Sequence, residues 1–201
     1  MKKLFLTGFE PFLDYHVNPT WDIVEKLNGT VIGDYKIVSK GLKVDFKDGI
    51  EEFKQALEDI KPDMIISLGI AAGRHKVTPE RIAINIKDGD ADNQGYQPID
   101  ELIDEEGPDA YLTNLPIRAM VNRLLNEGYP AEISNSAGTY LCNNVMYEGL
   151  KYATKHNILA GFIHIPMNFE LACKHGKYPG WSNHDLLSAV KICLEEAINA
   201  T

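Results

Sequence analysis

Two kinds of apolar pattern alternate along this chain. Runs such as "MIISLG" (Met64–Gly69) and "LAGFIHI" (Leu159–Ile165) are nearly continuous in apolar residues. A strand covered on both faces reads that way. Between such runs lie segments in which apolar residues recur every three or four positions. In "FKDGIEEFKQALEDIK", Phe46, Ile50, Phe53, Leu57 and Ile60 share one stripe, as in a helix that rests one face on a core. "LPIRAMVNRLLNEG" repeats the pattern with Ile117, Val121 and Leu124, with Pro116 near its start and Gly128 at its end. A last helix is expected after Ser182, with Asp185 three residues on as in a capping box and a stripe of Leu186, Val190, Cys193 and Ala197.

Strands are predicted at Lys3–Gly8, Lys36–Gly41, Met64–Gly69, Arg81–Ile86, Ala131–Ser134 and Leu159–Ile165. Strands alternating with helices predict an α/β fold, expected as a single domain over 1–201. The stretch Lys87–Asn114 is acidic and rich in Gly and Pro, and reads as a loop long enough to be functional. Sites in helix-covered sheets gather at the carboxyl ends of strands. Three such ends carry candidate chemistry: "TGFEPF", "LGIAAGR" and "IHIP".

Composition narrows the classes. The formal net charge of −9 over 201 residues speaks against a nucleic-acid partner, which needs concentrated positive charge. No run of about 18 apolar residues exists, so no membrane partner is expected. The opening "MKKLFLTGFEPF" reads as a first strand rather than a signal segment. Three cysteines, an odd number, argue against a disulfide framework and fit a reducing, cytoplasmic setting. Cys173 and His175 match no zinc spacing, and no metal is expected.

Cys142 stands where "NSAGTY" gives way to a helical run. With Thr139 as cap, it falls in the first turn of a helix, where unpaired N–H groups and partial positive charge favour a thiolate and a developing oxyanion. It fits a nucleophile, and equally a small core residue. Cys193 lies on an apolar stripe and reads as core, and Cys173 as a loop bystander. His164 sits inside an apolar strand end closed by Pro166, so its ring needs hydrogen-bond partners. Glu80, between Pro79 and Arg81, is the best placed acid to orient such a ring.

Four segments in order complete the reading: "TGFEPF" followed by "NPT", "GRHKVTPERIAIN", "SNSAGTYLCNNVMY" and "GFIHIP". Together they resemble the pyroglutamyl peptidase I family, also called pyrrolidone-carboxylate peptidases, which are cytoplasmic cysteine exopeptidases. The resemblance runs from Leu4 to about Pro166. It implies an open, twisted, mostly parallel sheet in a three-layer α/β/α sandwich. It implies a triad of Cys142, His164 and Glu80 and no cofactor. It implies removal of an N-terminal pyroglutamyl residue from peptides through a thioester, and a homotetramer. Phe9 and Phe12 are implied as walls for the lactam ring, and Ile70 stands where many members carry glutamine. The physical chemistry agrees. A neutral lactam needs apolar walls plus one donor and one acceptor, and a site built to bond it rejects ordinary N-termini.

The chain departs from the family pattern at "KDGDADN" (Lys87–Asn93), which is one residue short and lacks an arginine counted as part of the family's site. Lys87 is the nearest cation, but a lysine does not reproduce a planar fork. The text after Pro166, "MNFELACKHGKYPGWSNHD", also differs. The departures leave a second hypothesis, a binding protein with this pocket and weak or lost turnover. A third, a nucleosidase or phosphorylase, would need a phosphate site of which "GIAAGR" is only a faint version.

Overall fold

The computed structural model describes residues 1–11 and 17–201. In chain order it places β1 (Lys2–Phe9), α1 (Pro19–Leu27), β2 (Val31–Ile32), β3 (Tyr35–Leu42), α2 (Asp48–Ile60), β4 (Met64–Ile70), β5 (Thr78–Pro79), β6 (Ile82–Ile84), β7 (Ala110–Leu112), α3 (Ile117–Asn126), α4 (Leu141–His156), β8 (Leu159–Ile165), α5 (Phe169–His175) and α6 (Asn183–Asn199). The central sheet has the order β2-β3-β1-β4-β8-β5 among the described residues. Strands β3, β1, β4 and β8 run parallel, and the two-residue edges β2 and β5 run antiparallel to their neighbours.

Alternation along the central strands sorts their side chains into two cores. On one face, Leu4 and Leu6 of β1, Ile66 and Leu68 of β4, and Ile163 and Ile165 of β8 pack with α1, α3 and α6. On the other, Phe5, Ile65, Ala160 and Phe162 pack with α2 and α4. A sheet buried on both faces needs near-continuous apolar strands, and this one forms the middle of an α/β/α sandwich as the sequence suggested. The period-2 rule then fixes where the polar exceptions in these strands point. Ser67 and Gly69 follow Ile65, and His164 follows Phe162, so these positions face α2 and α4.

Three expectations are corrected. The strand expected over Ala131–Ser134 is reduced to two isolated bridges, Val77 with Ala131 and Glu80 with Ser134. The stretch Arg81–Ile86 shortens to β6, which pairs with β7 in a separate two-stranded ladder; β7 itself lies inside the supposed loop Lys87–Asn114. Cys173 is on a helix, α5, which Asn168 caps by accepting from the Leu171 N–H. The expected Ser182 cap is present, its hydroxyl accepting from the Asp185 N–H at 3.0 Å.

Candidate active site

The chain brings its chemistry together from three distant segments. β8 delivers His164, buried at 5% exposure. Beside β8 runs β5, in register Thr78 with His164 and Pro79 with Ile163, and the Glu80 N–H donates to the Phe162 carbonyl at 2.9 Å. That register sets Glu80 beside the histidine. His164 Nδ1 lies 2.7 Å from Glu80 Oε1, with the Glu80 side chain wholly enclosed. The third segment is the start of α4, where Cys142 is the second residue. Its sulfur rests over Gly69 of β4, where a methyl group would stand 2.8 Å from Cys142 Sγ and 2.8 Å from the Phe162 ring. Gly69 is the register partner of His164 in the β4–β8 ladder. The thiol therefore sits above the strand position next to the imidazole, on the same face of the sheet. Only a residue without a side chain leaves that space.

The electrostatics describe a neutral pair waiting for proton transfer. Burial pushes the Cys142 thiol up to about 12, Glu80 adds to the rise, and Arg74 and the residue's own backbone N–H oppose it. Burial lowers the pKa of His164, against the opposing pull of Glu80. Both shifts favour the uncharged ring and the protonated thiol. Burial would raise the Glu80 carboxyl, but His164, with help from Ser134 and Arg74, brings it below the usual carboxylate value. An ionised Glu80 accepts, so the ring proton sits on Nδ1 and Nε2 is left basic.

The turn into α4 is held from outside rather than by its own cap. Tyr140, not Thr139, occupies the N-cap position, and no side chain caps the helix there. Thr139 instead donates its hydroxyl to the Asp88 carbonyl at 3.0 Å, while the Asp88 N–H donates to the Thr139 carbonyl at 2.9 Å. One residue past the cysteine, buried Asn143 behaves as a strand partner. Its amide donates to the carbonyls of Ile84 and Ile86 at 2.8 and 2.9 Å and accepts from the Ile84 N–H at 2.9 Å. Nothing local in the sequence marks this amide, since its partners lie more than 55 residues away.

Beside Cys142 opens a cleft of about 80 Å³, lined by Phe9, Asn18, Val44, Ile70, Tyr140 and Leu141 as well as the cysteine. Phe9 and Ile70 were named from the sequence; Phe12 lies outside the described residues. Asn18, Val44, Tyr140 and Leu141 were missed. Asn18 had a signal, because "NPT" is a helix start: its side chain accepts from the Thr20 N–H to cap α1, with Pro19 following.

The segment lacking the arginine is nevertheless well tied. Asp92 accepts from the N–H groups of Phe46, Gln94 and Tyr96 at 2.9 to 3.0 Å. The Asn93 N–H donates to the Val44 carbonyl, and Tyr140 donates its hydroxyl to the Ala91 carbonyl. Lys87 does not stand in for the missing arginine. It pairs with Glu101 at 3.1 Å and lies over the Tyr96 ring, and it lines a different cavity from the one at Cys142.

A thiol, a neutral imidazole oriented by a buried carboxylate, and a small, mostly apolar cleft together describe a hydrolase site of the cysteine type. The comparisons agree with that class. The family model for pyroglutamyl peptidases matches residues 2–200, and the chain belongs to that family. The pyrrolidone-carboxylate peptidase of Lysinibacillus sphaericus is 64% identical over 201 residues, covering 100% of this chain and 98% of that one. That of Halalkalibacterium halodurans is 46% identical over 196 residues, 96% of this chain and 98% of its own. Among solved structures, the pyrrolidone carboxyl peptidase from Thermococcus litoralis superimposes with a TM-score of 0.95 at 40% identity, covering 99% of this chain and 94% of that one. The Bacillus amyloliquefaciens pyroglutamyl peptidase I gives 0.94 at 39%, covering 99% and 98%.

Proposed function

We propose that this protein is a cysteine exopeptidase that removes an N-terminal pyroglutamyl residue from peptides, with Cys142 as nucleophile, His164 as base and Glu80 as the group that orients the base. The observation that carries this is the stack of sulfur, strand glycine and imidazole: Cys142 Sγ over Gly69, His164 beside Gly69, and Glu80 on His164 Nδ1. Family membership supports it independently.

The resting protonation states suit general-base catalysis. The lactam enters the cleft against Phe9, Val44 and Ile70, with Phe12 as a further expected wall. His164 Nε2 takes the Cys142 proton as the sulfur bonds to the pyroglutamyl carbonyl carbon. The uncapped N–H groups at the start of α4 face the oxygen as it becomes an oxyanion. The imidazolium, stabilised by ionised Glu80, gives its proton to the leaving amine. A water activated by His164 then hydrolyses the thioester. No step calls for a metal or cofactor.

The family resemblance and the low number of cysteines support a cytoplasmic, homo-oligomeric protein, with a tetramer as the expected assembly. Among the described residues no helix is long and apolar enough to cross a membrane. Release of a fluorophore from a pyroglutamyl amide tests the activity: hydrolysis is expected from the wild type, whereas turnover that persists in Cys142→Ser would refute the assigned nucleophile. The reading as a binding protein predicts saturable binding of the same amide with no release.

A further inference from the structure

Arg74 belongs to none of the roles above, yet its guanidinium joins three parts of the site. It follows β4 in a turn where its own N–H donates to the Ala71 carbonyl. Its Nη1 donates to Glu80 Oε1 at 2.6 Å and to Thr78 Oγ1 at 2.8 Å. Its Nη2 donates to the Ser136 carbonyl at 3.2 Å, in the loop that leads into α4 and Cys142. One carboxylate oxygen thus accepts from both Arg74 and His164. We propose that Arg74 is a positioning residue for this reaction: it holds Glu80 as an anion aimed at His164 Nδ1, and it ties that carboxylate to the loop carrying the nucleophile. This deepens the peptidase reading and rests on it.

The need for such a residue comes from burial. Glu80 is wholly enclosed, and the ionisable groups facing its carboxylate are His164 of β8, Arg74 and, further off, Cys142 of α4. The histidine is neutral at rest, so the arginine is the carboxylate's only formal positive neighbour among these. A buried carboxylate without one favours its protonated form. A protonated Glu80 would donate to His164 Nδ1, and the ring proton would then sit on Nε2, facing the sulfur. That tautomer cannot accept the thiol proton. The planar fork also explains the residue type, because a lysine ammonium cannot address a carboxylate oxygen and a carbonyl with fixed, separate N–H groups. Arg74 does not line the cleft at Cys142, so its loss should act on chemistry rather than on lactam binding.

The test is the pH dependence of pyroglutamyl-amide hydrolysis in the wild type, Arg74→Gln, Arg74→Lys and Arg74→Ala. Removing the cation raises the pKa of both Glu80 and His164, so the acid limb of kcat/KM should move up by about one pH unit or more in Arg74→Gln, with KM changed less than about twofold. Arg74→Lys should recover part of the shift, and millimolar guanidinium should restore turnover in Arg74→Ala, since the native side chain is 35% exposed. An acid limb that stays in place, or a loss confined to KM or to thermal stability, would overturn the proposal. If Arg74→Gln does not fold, Arg74→Lys carries the same comparison. Nitrogen NMR of His164 separates this from the activity itself. A ring protonated on Nδ1 in the wild type and on Nε2 in the variant supports Arg74 even for an inactive enzyme, whereas identical ring signals in both would sink it.

Discussion

Two cysteines, one half-buried and one buried, sit on opposite faces of the same sheet, and burial raises the pKa of both thiols. Cys193 of α6 is wholly enclosed in the core shared with α3, and burial pushes its thiol up to about 12. Cys142 is pushed to the same value by the same cause. The difference lies in what each sulfur meets. Cys193 is packed among apolar side chains of α3, α6 and the sheet. Cys142 rests over a glycine beside a histidine, at the mouth of a cleft. Thiol acidity therefore does not distinguish the two. A neighbouring base and room for a carbonyl do, and on the proposed reading His164 takes the thiol proton during attack.

The sharpest way to break this comparison is to replace each cysteine in turn and assay both variants. Cys142→Ser should reduce kcat on a pyroglutamyl amide on the order of 10⁵-fold or more, with the fold unchanged by circular dichroism. Comparable loss from Cys193→Ser at full folding would mean the wrong face was chosen. Next in size is Gly69→Ala, which adds a methyl 2.8 Å from Cys142 Sγ and the Phe162 ring. Displacing the sulfur should cost roughly 10²-fold in kcat, and wild-type turnover in that variant would show that sulfur and imidazole are not aligned through this strand position.

The resting charge states sharpen the comparison further. Because burial lowers the pKa of His164, its neutral form persists to a pH below the ordinary histidine value. The acid limb of kcat/KM should fall there, losing about tenfold per pH unit beneath it. A limb at or above the ordinary value would mean a standing imidazolium, and hence a thiolate pair. The smallest effect is expected from Cys193→Ser. A hydroxyl left unpaired in an apolar core should cost about 1–3 kcal/mol in denaturant unfolding, while kcat/KM of the folded protein stays at the wild-type value.

What could be read from the letters follows from how local each signal was. Strands β1, β3, β4 and β8 and helices α2, α3 and α6 each carry an apolar run or stripe that decides the matter within a dozen residues. His164 and Cys142 stood out for the same reason, as polar or reactive side chains in apolar or turn-rich surroundings. Ala131–Ser134 has strand-like composition, but its partner segment offers it only isolated bridges. Thr139 looked like a cap until Asp88, some 50 residues earlier, supplied a partner for its hydroxyl. Arg74 and Asn143 act entirely through residues distant in sequence, and no periodicity or spacing marks them. The short helix α5 did have its signals, Asn168 before it and Gly176 after it, but with seven residues it is too short for an apolar stripe to show.

The two ends of the central sheet also bear on how the protein avoids uncontrolled strand-to-strand growth. The outer strands β2 and β5 are only two residues long, and the far side of β5 is already taken by residues 131–134, whose Ser134 N–H donates to the Pro79 carbonyl. A stranger chain finds almost no template there for edge-to-edge growth into fibrils. The segment that sets Glu80 beside His164 is thus held on both sides, by β8 and by residues 131–134, and an insertion that lengthened it would disturb that edge and the Glu80–His164 contact together.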